Sequence, residues 1–179
     1  MKKIVIVSLL SAFITTTAFA GNTGKYYVAA DLGSATYSNI QFPSLSVIRI
    51  AGGYHFSPVL AVELGYSMFG DSNTTLNCCG FATTTATSFQ VAAVGKLPID
   101  KEFDLIGKLG LASNVENYSS ATGFSASYSQ SDLLIGFGAE YHVNSKVSVR
   151  ALYDNYGKFD NFYPPMKATS LSVGAAFNF

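Results

Sequence analysis

From Lys25 onward the chain repeats one constraint: segments of about ten residues in which every second side chain is apolar or small and never charged. Tyr26, Val28, Ala30 and Leu32 share one face of the first. Ile48, Ile50, Gly52, Tyr54 and Phe56 follow, then Leu60, Val62, Leu64, Tyr66 and Met68. The fourth holds Phe89, Val91, Ala93, Gly95 and Leu97, and the fifth Phe103, Leu105, Gly107, Leu109 and Leu111. The sixth runs Leu133, Ile135, Phe137, Ala139, Tyr141 and Val143; the seventh Val147, Val149, Ala151 and Tyr153; the eighth Leu171, Val173, Ala175, Phe177 and Phe179. Period two is the signature of a strand.

The opposite faces collect what these exclude: Asp31, Arg49, His55, Glu63, Gln90, Lys96, Asp104, Lys108, Asp132, Glu140, His142, Arg150 and Asp154, among many Gly and Ala. A soluble sandwich also alternates, but it tolerates scattered charge on its wet face and buries the apolar one in a shared core. Eight strands that keep one face free of charge fit lipid better. Connection lengths agree. Strands two and three are joined by Ser57-Pro58, four and five by 98–102, six and seven by Asn144-Ser145. The other joints are long, at 38–44, 70–87, 115–130 and 157–167. Short turns alternating with long loops predict an all-β, eight-stranded antiparallel up-and-down transmembrane β-barrel, with the short turns in the periplasm. Closure removes every strand edge from lipid.

Composition supports this reading. The 179 residues are 49% hydrophobic and only 12% charged, about half the charge of an ordinary soluble domain. The N-terminal MKKIVIVSLLSAFITTTAFAG reads as a cleaved secretory signal peptide over 1–20, leaving 21–179 as one barrel domain. Lys2 and Lys3 leave with it, so the remaining basic residues fall two short of the 11 acidic ones. A slightly acidic chain gives no reason to expect nucleic acid as a partner.

Two stretches carry a family resemblance. The chain finishes in SLSVGAAFNF, an alternating strand with Phe177 and Phe179 on its apolar face, and residues 136–157, GFGAEYHVNSKVSVRALYDNYG, read as strand, tight turn, strand. In these the chain resembles the OmpA-like transmembrane domain and the small outer-membrane β-barrel proteins related to it, without the peptidoglycan-binding domain of full-length OmpA. The resemblance implies the outer membrane of a Gram-negative bacterium, surrounding lipid and lipopolysaccharide, and Phe177 and Phe179 as the signal read by the outer-membrane assembly machinery. It also implies a role for an interior quartet, Glu63, Lys96, Glu140 and Arg150, which matches residues whose ion-pair exchange is thought to gate a narrow water path in OmpA.

Distance from the turns places that quartet in the lower half of the lumen and a second set, Asp31, Arg49, Lys108 and Asp154, nearer the middle or top. Each set holds two acids and two bases, so the expectation is two salt-bridge layers closing an interior that eight strands make just wide enough for side chains.

Residue chemistry for catalysis is thin. His55 and Ser57 stand two apart, a pairing similar to that of the lipid A 3-O-deacylase barrel, but His55 is expected to face the lumen near a periplasmic turn, away from outer-leaflet lipid. His142 has Asn144 in the corresponding place. Gly136-Phe137-Gly138 sits within a strand, where its glycines make room for neighbours rather than cradle a dinucleotide. No spacing suggests a metal site or a cofactor. Cys78-Cys79 falls in the longest outside loop; a strained vicinal disulfide is preferred over pairing to another molecule, and both readings stay open. The Thr-, Ser- and Asn-rich second and third loops, and the aromatic fourth, offer contact surfaces for host or environmental ligands. The expected function is therefore a structural or surface-interaction barrel, adhesion-type and without catalysis. A narrow porin-like channel gated by interior ion pairs is the alternative, and a lipid A-modifying enzyme comes last.

Overall fold

Eight antiparallel strands close into a barrel in the computed structural model, which describes residues 26–38, 44–76, 80–121, 123, 125–159 and 166–179. They are β1 (Tyr26–Tyr37), β2 (Leu45–Ser57), β3 (Leu60–Leu76), β4 (Gly80–Pro98), β5 (Phe103–Ser120), β6 (Ser125–His142), β7 (Val147–Lys158) and β8 (Lys167–Asn178). Each pairs with its neighbour in sequence, and β1 pairs with β8 from Tyr27↔Asn178 to Tyr37↔Ala168. The Phe179 N–H extends that seam by donating to the Tyr26 carbonyl at 2.9 Å. The proposed leader and the Cys78-Cys79 pair lie outside the described residues.

The alternation read from sequence is the alternation of the wall. Leu32, Leu111, Phe137 and Leu171 are exposed on the outside, whereas Asp31, Arg49, Gln90 and Asp154 are buried within. An inverted pattern of this kind, apolar out and polar in, is stable only where lipid replaces water as the outer solvent. Aromatic side chains gather near the short-turn end. Tyr26 packs on Tyr54 with ring centroids 4.9 Å apart, and Phe177 meets Phe179 edge-on at 5.1 Å. The short turns are as expected; in one, Asn144 Oδ1 accepts the N–H groups of Lys146 and Val147 at 2.8 and 2.9 Å, closing the turn from its own side chain.

The long joints differ from expectation. Most of 70–87 and 115–130 is strand, not loop: β3 and β4 stay paired up to Leu76↔Gly80, through a register shift between Phe69 and Ser72, and β5 and β6 stay in register up to Ser119↔Ser125. The strands therefore run 12 to 19 residues, not about ten. Thr and Tyr favour strands, but above the membrane both faces meet water, so the hydrophobic alternation that marks a strand disappears. The extension is one-sided. β2 is in register with β3 only as far as Val47↔Phe69, and β6 with β7 only from Ile135↔Asn155, so among the described residues β3–β6 rise as a four-stranded wall beyond the other strands.

Candidate functional site

The lumen is where this sequence concentrates its chemistry, and it is stacked in layers. At the centre Arg49 bridges Asp31, 2.8 Å from Nη1 to Oδ2, and also contacts Glu63 through Nη2. Arg150 forks onto Asp31, with Nε to Oδ1 at 2.7 Å and Nη2 to Oδ2 at 2.6 Å, and reaches Glu63 Oε2 at 3.0 Å. Lys108 Nζ lies 3.0 Å from Asp154 and 3.5 Å from Glu63. Neutral donors complete the shell: the Tyr27 hydroxyl donates to Glu63 at 2.9 Å, and Gln90 accepts from Arg49 Nε while donating to Ser67. Three carboxylates thus face three cations, and each of the six side chains is at least 95% buried.

Toward the short-turn end a second, smaller group stands apart. Lys96 Nζ meets Glu140 at 2.6 Å, and the Ser148 hydroxyl donates to the other Glu140 oxygen. The two-layer expectation is therefore corrected. Glu63 and Arg150 join Asp31, Arg49, Lys108 and Asp154, leaving Lys96 and Glu140 as a pair. Strands in a barrel are tilted and staggered, so equal distance from a turn is not equal height, and an arginine reaches across the difference.

Glycine makes the crowding workable. A Cβ on Gly136 would lie 2.1 Å from Asp154 Oδ1, and one on Gly174 would lie 2.2 Å from Asp31 Oδ1. These positions sit opposite the charged residues they spare: Gly136↔Asp154 and Asp31↔Gly174. The glycines of the 136–138 stretch thus make room, as their place in a strand suggests.

Apolar layers seal the charges from either side. Tyr27, Ala29, Ala61, Val94, Ile106, Leu152 and Ala176 pack on the short-turn side. On the far side Tyr37, Phe69, Tyr156 and Phe159 form an aromatic layer, with Phe69 edge-on to Tyr156 at 5.3 Å and to Phe159 at 5.4 Å. The Tyr156 hydroxyl is tied to Ser67 and Ser170. Between the two ionic groups lies a cavity of about 10 Å³, lined by Tyr27, Glu63, Lys96, Lys108, Glu140 and Arg150 among others. That is room for about one water.

Below Lys96 the lumen opens into a vestibule of about 750 Å³ at the short-turn mouth. Both histidines line it. His142 Nε2 is 2.9 Å from Asp104, and His55 packs against the Tyr27 ring at 4.9 Å. Ser57 Oγ accepts the Val59 N–H at 3.3 Å, and among the described residues no hydrogen bond joins it to His55. Asp132, placed on the interior face by its parity, instead serves the rim, accepting the backbone N–H of Lys158 at 2.9 Å.

Several residues that shape the site were silent in the sequence: Tyr27, Asn114 and Tyr156 carry no charge to draw the eye. Asn114 Nδ2 donates to the carbonyls of Tyr156 and Lys158, each at 2.8 Å, across a register irregularity in β7. The available signal was Asn155-Tyr156-Gly157, since a glycine inside a strand pattern marks a bulge.

Comparison with known proteins matches the same architecture. The family model for the outer membrane protein beta-barrel domain matches residues 6–179. Neisserial surface protein A is similar in structure with a TM-score of 0.67 at 18% identity, over 89% of this chain and all of that one. Ail, the attachment invasion locus protein of Yersinia pestis, gives 0.63 at 16% identity over 88% of this chain and 100% of its own. The N-terminal β-barrel domain of Pseudomonas aeruginosa OprF gives 0.60 at 14%, over 87% and 99%. No curated protein matches the chain in sequence.

Proposed function

The chain belongs to the outer membrane protein beta-barrel domain family, and from that premise we infer a sealed surface barrel that acts through the wall standing above it, not through its lumen. The observation that carries this reading is the continuous plug. Buried ion pairs lie between two apolar layers, and the enclosed space amounts to about one water. A barrel closed in this way transports nothing in its resting state. Its surface beyond the lumen is the β3–β6 wall, whose flanks at β3 and β6 lack a strand neighbour among the described residues, as do the edges that partner proteins use to add a strand of their own. Contact with host or environmental surfaces is the role this suggests, in keeping with the attachment named for Ail. Export through a cleaved 1–20 leader, assembly guided by Phe177 and Phe179, and an environment of lipopolysaccharide complete the reading. It assigns no catalytic residue, since His55 and Ser57 sit apart in the vestibule.

A narrow channel is the second reading. The small polar cavity favours it, because it brings Lys96 and Glu140 to the same space as Glu63 and Arg150, so that an exchange of partners would open a path. Conductance of refolded residues 21–179 in planar bilayers at two salt concentrations separates the two. The sealed barrel predicts a silent bilayer from protein that shows heat-modifiable migration, with openings appearing when Lys96→Ala strands the Glu140 carboxylate. Steady openings of the unaltered protein would put the channel first.

A further inference from the structure

The in–out parity of β7 breaks at one point. Tyr156 is buried in the aromatic layer, Gly157 follows with a φ of 72°, and then Lys158 is exposed while Phe159 is buried. The register with β8 shows the cause: Asn155 pairs with Thr169 and Gly157 with Ala168, leaving Tyr156 as an extra residue. Without it, Lys158 would lie opposite the buried Met166 and point into the aromatic layer. The bulge is well supported. Asn155 Oδ1 accepts the Gly157 N–H at 2.9 Å, and Asn114 holds the carbonyls on both sides of the glycine. Bulges commonly re-aim a side chain. This one turns Lys158 outward, directly across from Lys167.

Two like charges directly opposite on an antiparallel pair repel. Among the described residues neither ammonium has a carboxylate within 4.0 Å; the Asp132 carboxylate attracts both from farther off, while its two oxygens accept the backbone N–H groups of Leu133 and Lys158. The pair also collects all the positive charge of the outer rim that the structure describes. Arg49, Lys96, Lys108 and Arg150 face the lumen, Lys101 and Lys146 sit in the short turns, and only Lys158 and Lys167 remain.

Height along the wall identifies what would face them. On β8 the outward side chains run from Phe177 through Ala175, Val173 and Leu171 to Thr169 and Lys167. The steps from Phe177 to Lys167, at about 3.4 Å each and a tilt of about 40°, rise about 26 Å, matching the apolar band of an outer-membrane barrel. Lys167 and its partner therefore lie at the outer headgroup level, where the complementary charge is phosphate.

We propose that Lys158 and Lys167, brought together by the β7 bulge, form a clasp for the phosphate of a phosphorylated glycolipid in the outer leaflet. The assignment rests on the membrane orientation given above, short turns inward. Its test is retention of bis-phosphorylated lipid A against the dephosphorylated form by protein refolded into mixed micelles, after heat-modifiable migration has confirmed folding. One lysine near an anionic surface is worth about fivefold, so both together predict about thirtyfold preference for the phosphorylated lipid. Lys158→Gln with Lys167→Gln should abolish it, and each single variant should lower it about fivefold. Lys101→Gln with Lys146→Gln, at the opposite mouth, should leave it intact.

A folded protein without the preference, or a double Gln variant that keeps it, overturns the clasp while the barrel reading stands. Failure of the unaltered protein to show heat-modifiable migration overturns both. Competition by inorganic phosphate at equal concentration would overturn the lipid assignment and leave a site for free phosphate.

Discussion

Glu63→Gln is the most informative single change in this barrel. Its carboxylate is shared by Arg49, Lys108 and Arg150 and takes a hydrogen bond from Tyr27. The substitution keeps the shape and most of the hydrogen-bonding capacity, so its principal effect is one negative charge removed from a balanced six-residue cluster. A net positive charge then remains where Glu63 was 2% exposed. Removing one partner of a buried ion pair costs about 3–5 kcal/mol. The lower end is expected here, about 3 kcal/mol, because Arg49 and Arg150 keep Asp31 and Lys108 keeps Asp154. The assay is equilibrium urea unfolding in detergent micelles, followed by circular dichroism, since the chain has no tryptophan. Adding Arg49→Met to the same chain restores neutrality while leaving Arg150 on Asp31 and Lys108 on Asp154, and should recover at least half of the loss. A single variant within about 0.5 kcal/mol of the parent, or a double variant whose losses simply add, would refute the claim that charge balance governs this cluster.

Two further substitutions probe the layers around it. Gly136→Ala puts a Cβ 2.1 Å from Asp154 Oδ1, and overpacking of this kind should cost about 1–3 kcal/mol in the same unfolding assay. Gly107→Ala, on the outer face with nothing within 4 Å, is the matched control and should be neutral. Phe159→Ala removes the ring packed against Tyr37 and Phe69 at 5.9 and 5.4 Å; a loss of about 3–5 kcal/mol is expected, and no loss would mean the aromatic layer is not a plug.

What the sequence makes legible follows from where lipid acts. Leu32, Ile50, Leu109, Phe137 and Val173 alternate with polar neighbours because each lies where the solvent is hydrocarbon, and period two then marks strand and facing at once. Thr83 to Thr85 and Asn117 to Ser120 lie in strands just as regular, but water on both sides leaves no contrast to read. The inventory of interior charge was equally visible, since Glu63 or Arg150 on an otherwise lipid-facing scaffold has nowhere else to go. Their partnerships were not visible. Asp31 and Arg150 are 119 residues apart, and which base reaches which acid depends on stagger, a property of the closed barrel that no single strand carries. The bulge at Gly157 escaped for a related reason, as parity read from Val147 to Tyr153 offers no warning that it will reset.

The central cluster also constrains how such a chain can enter a membrane. Its members come from β1, β2, β3, β5 and β7, so only the Asp31–Arg49 and Arg49–Glu63 pairs lie within a single hairpin. A strand crossing singly would carry a bare charge through hydrocarbon, at about 2–4 kcal/mol for each Arg or Lys at midplane depth. Arg150 on β7 takes its two carboxylate partners, Asp31 and Glu63, from β1 and β3, so its fork onto Asp31 forms only when the opposite end of the sheet is in reach. Crossing and closing are in consequence one event: the barrel must gather its first and seventh strands before the lipid does, and the buried charges act as a check that the ring is complete.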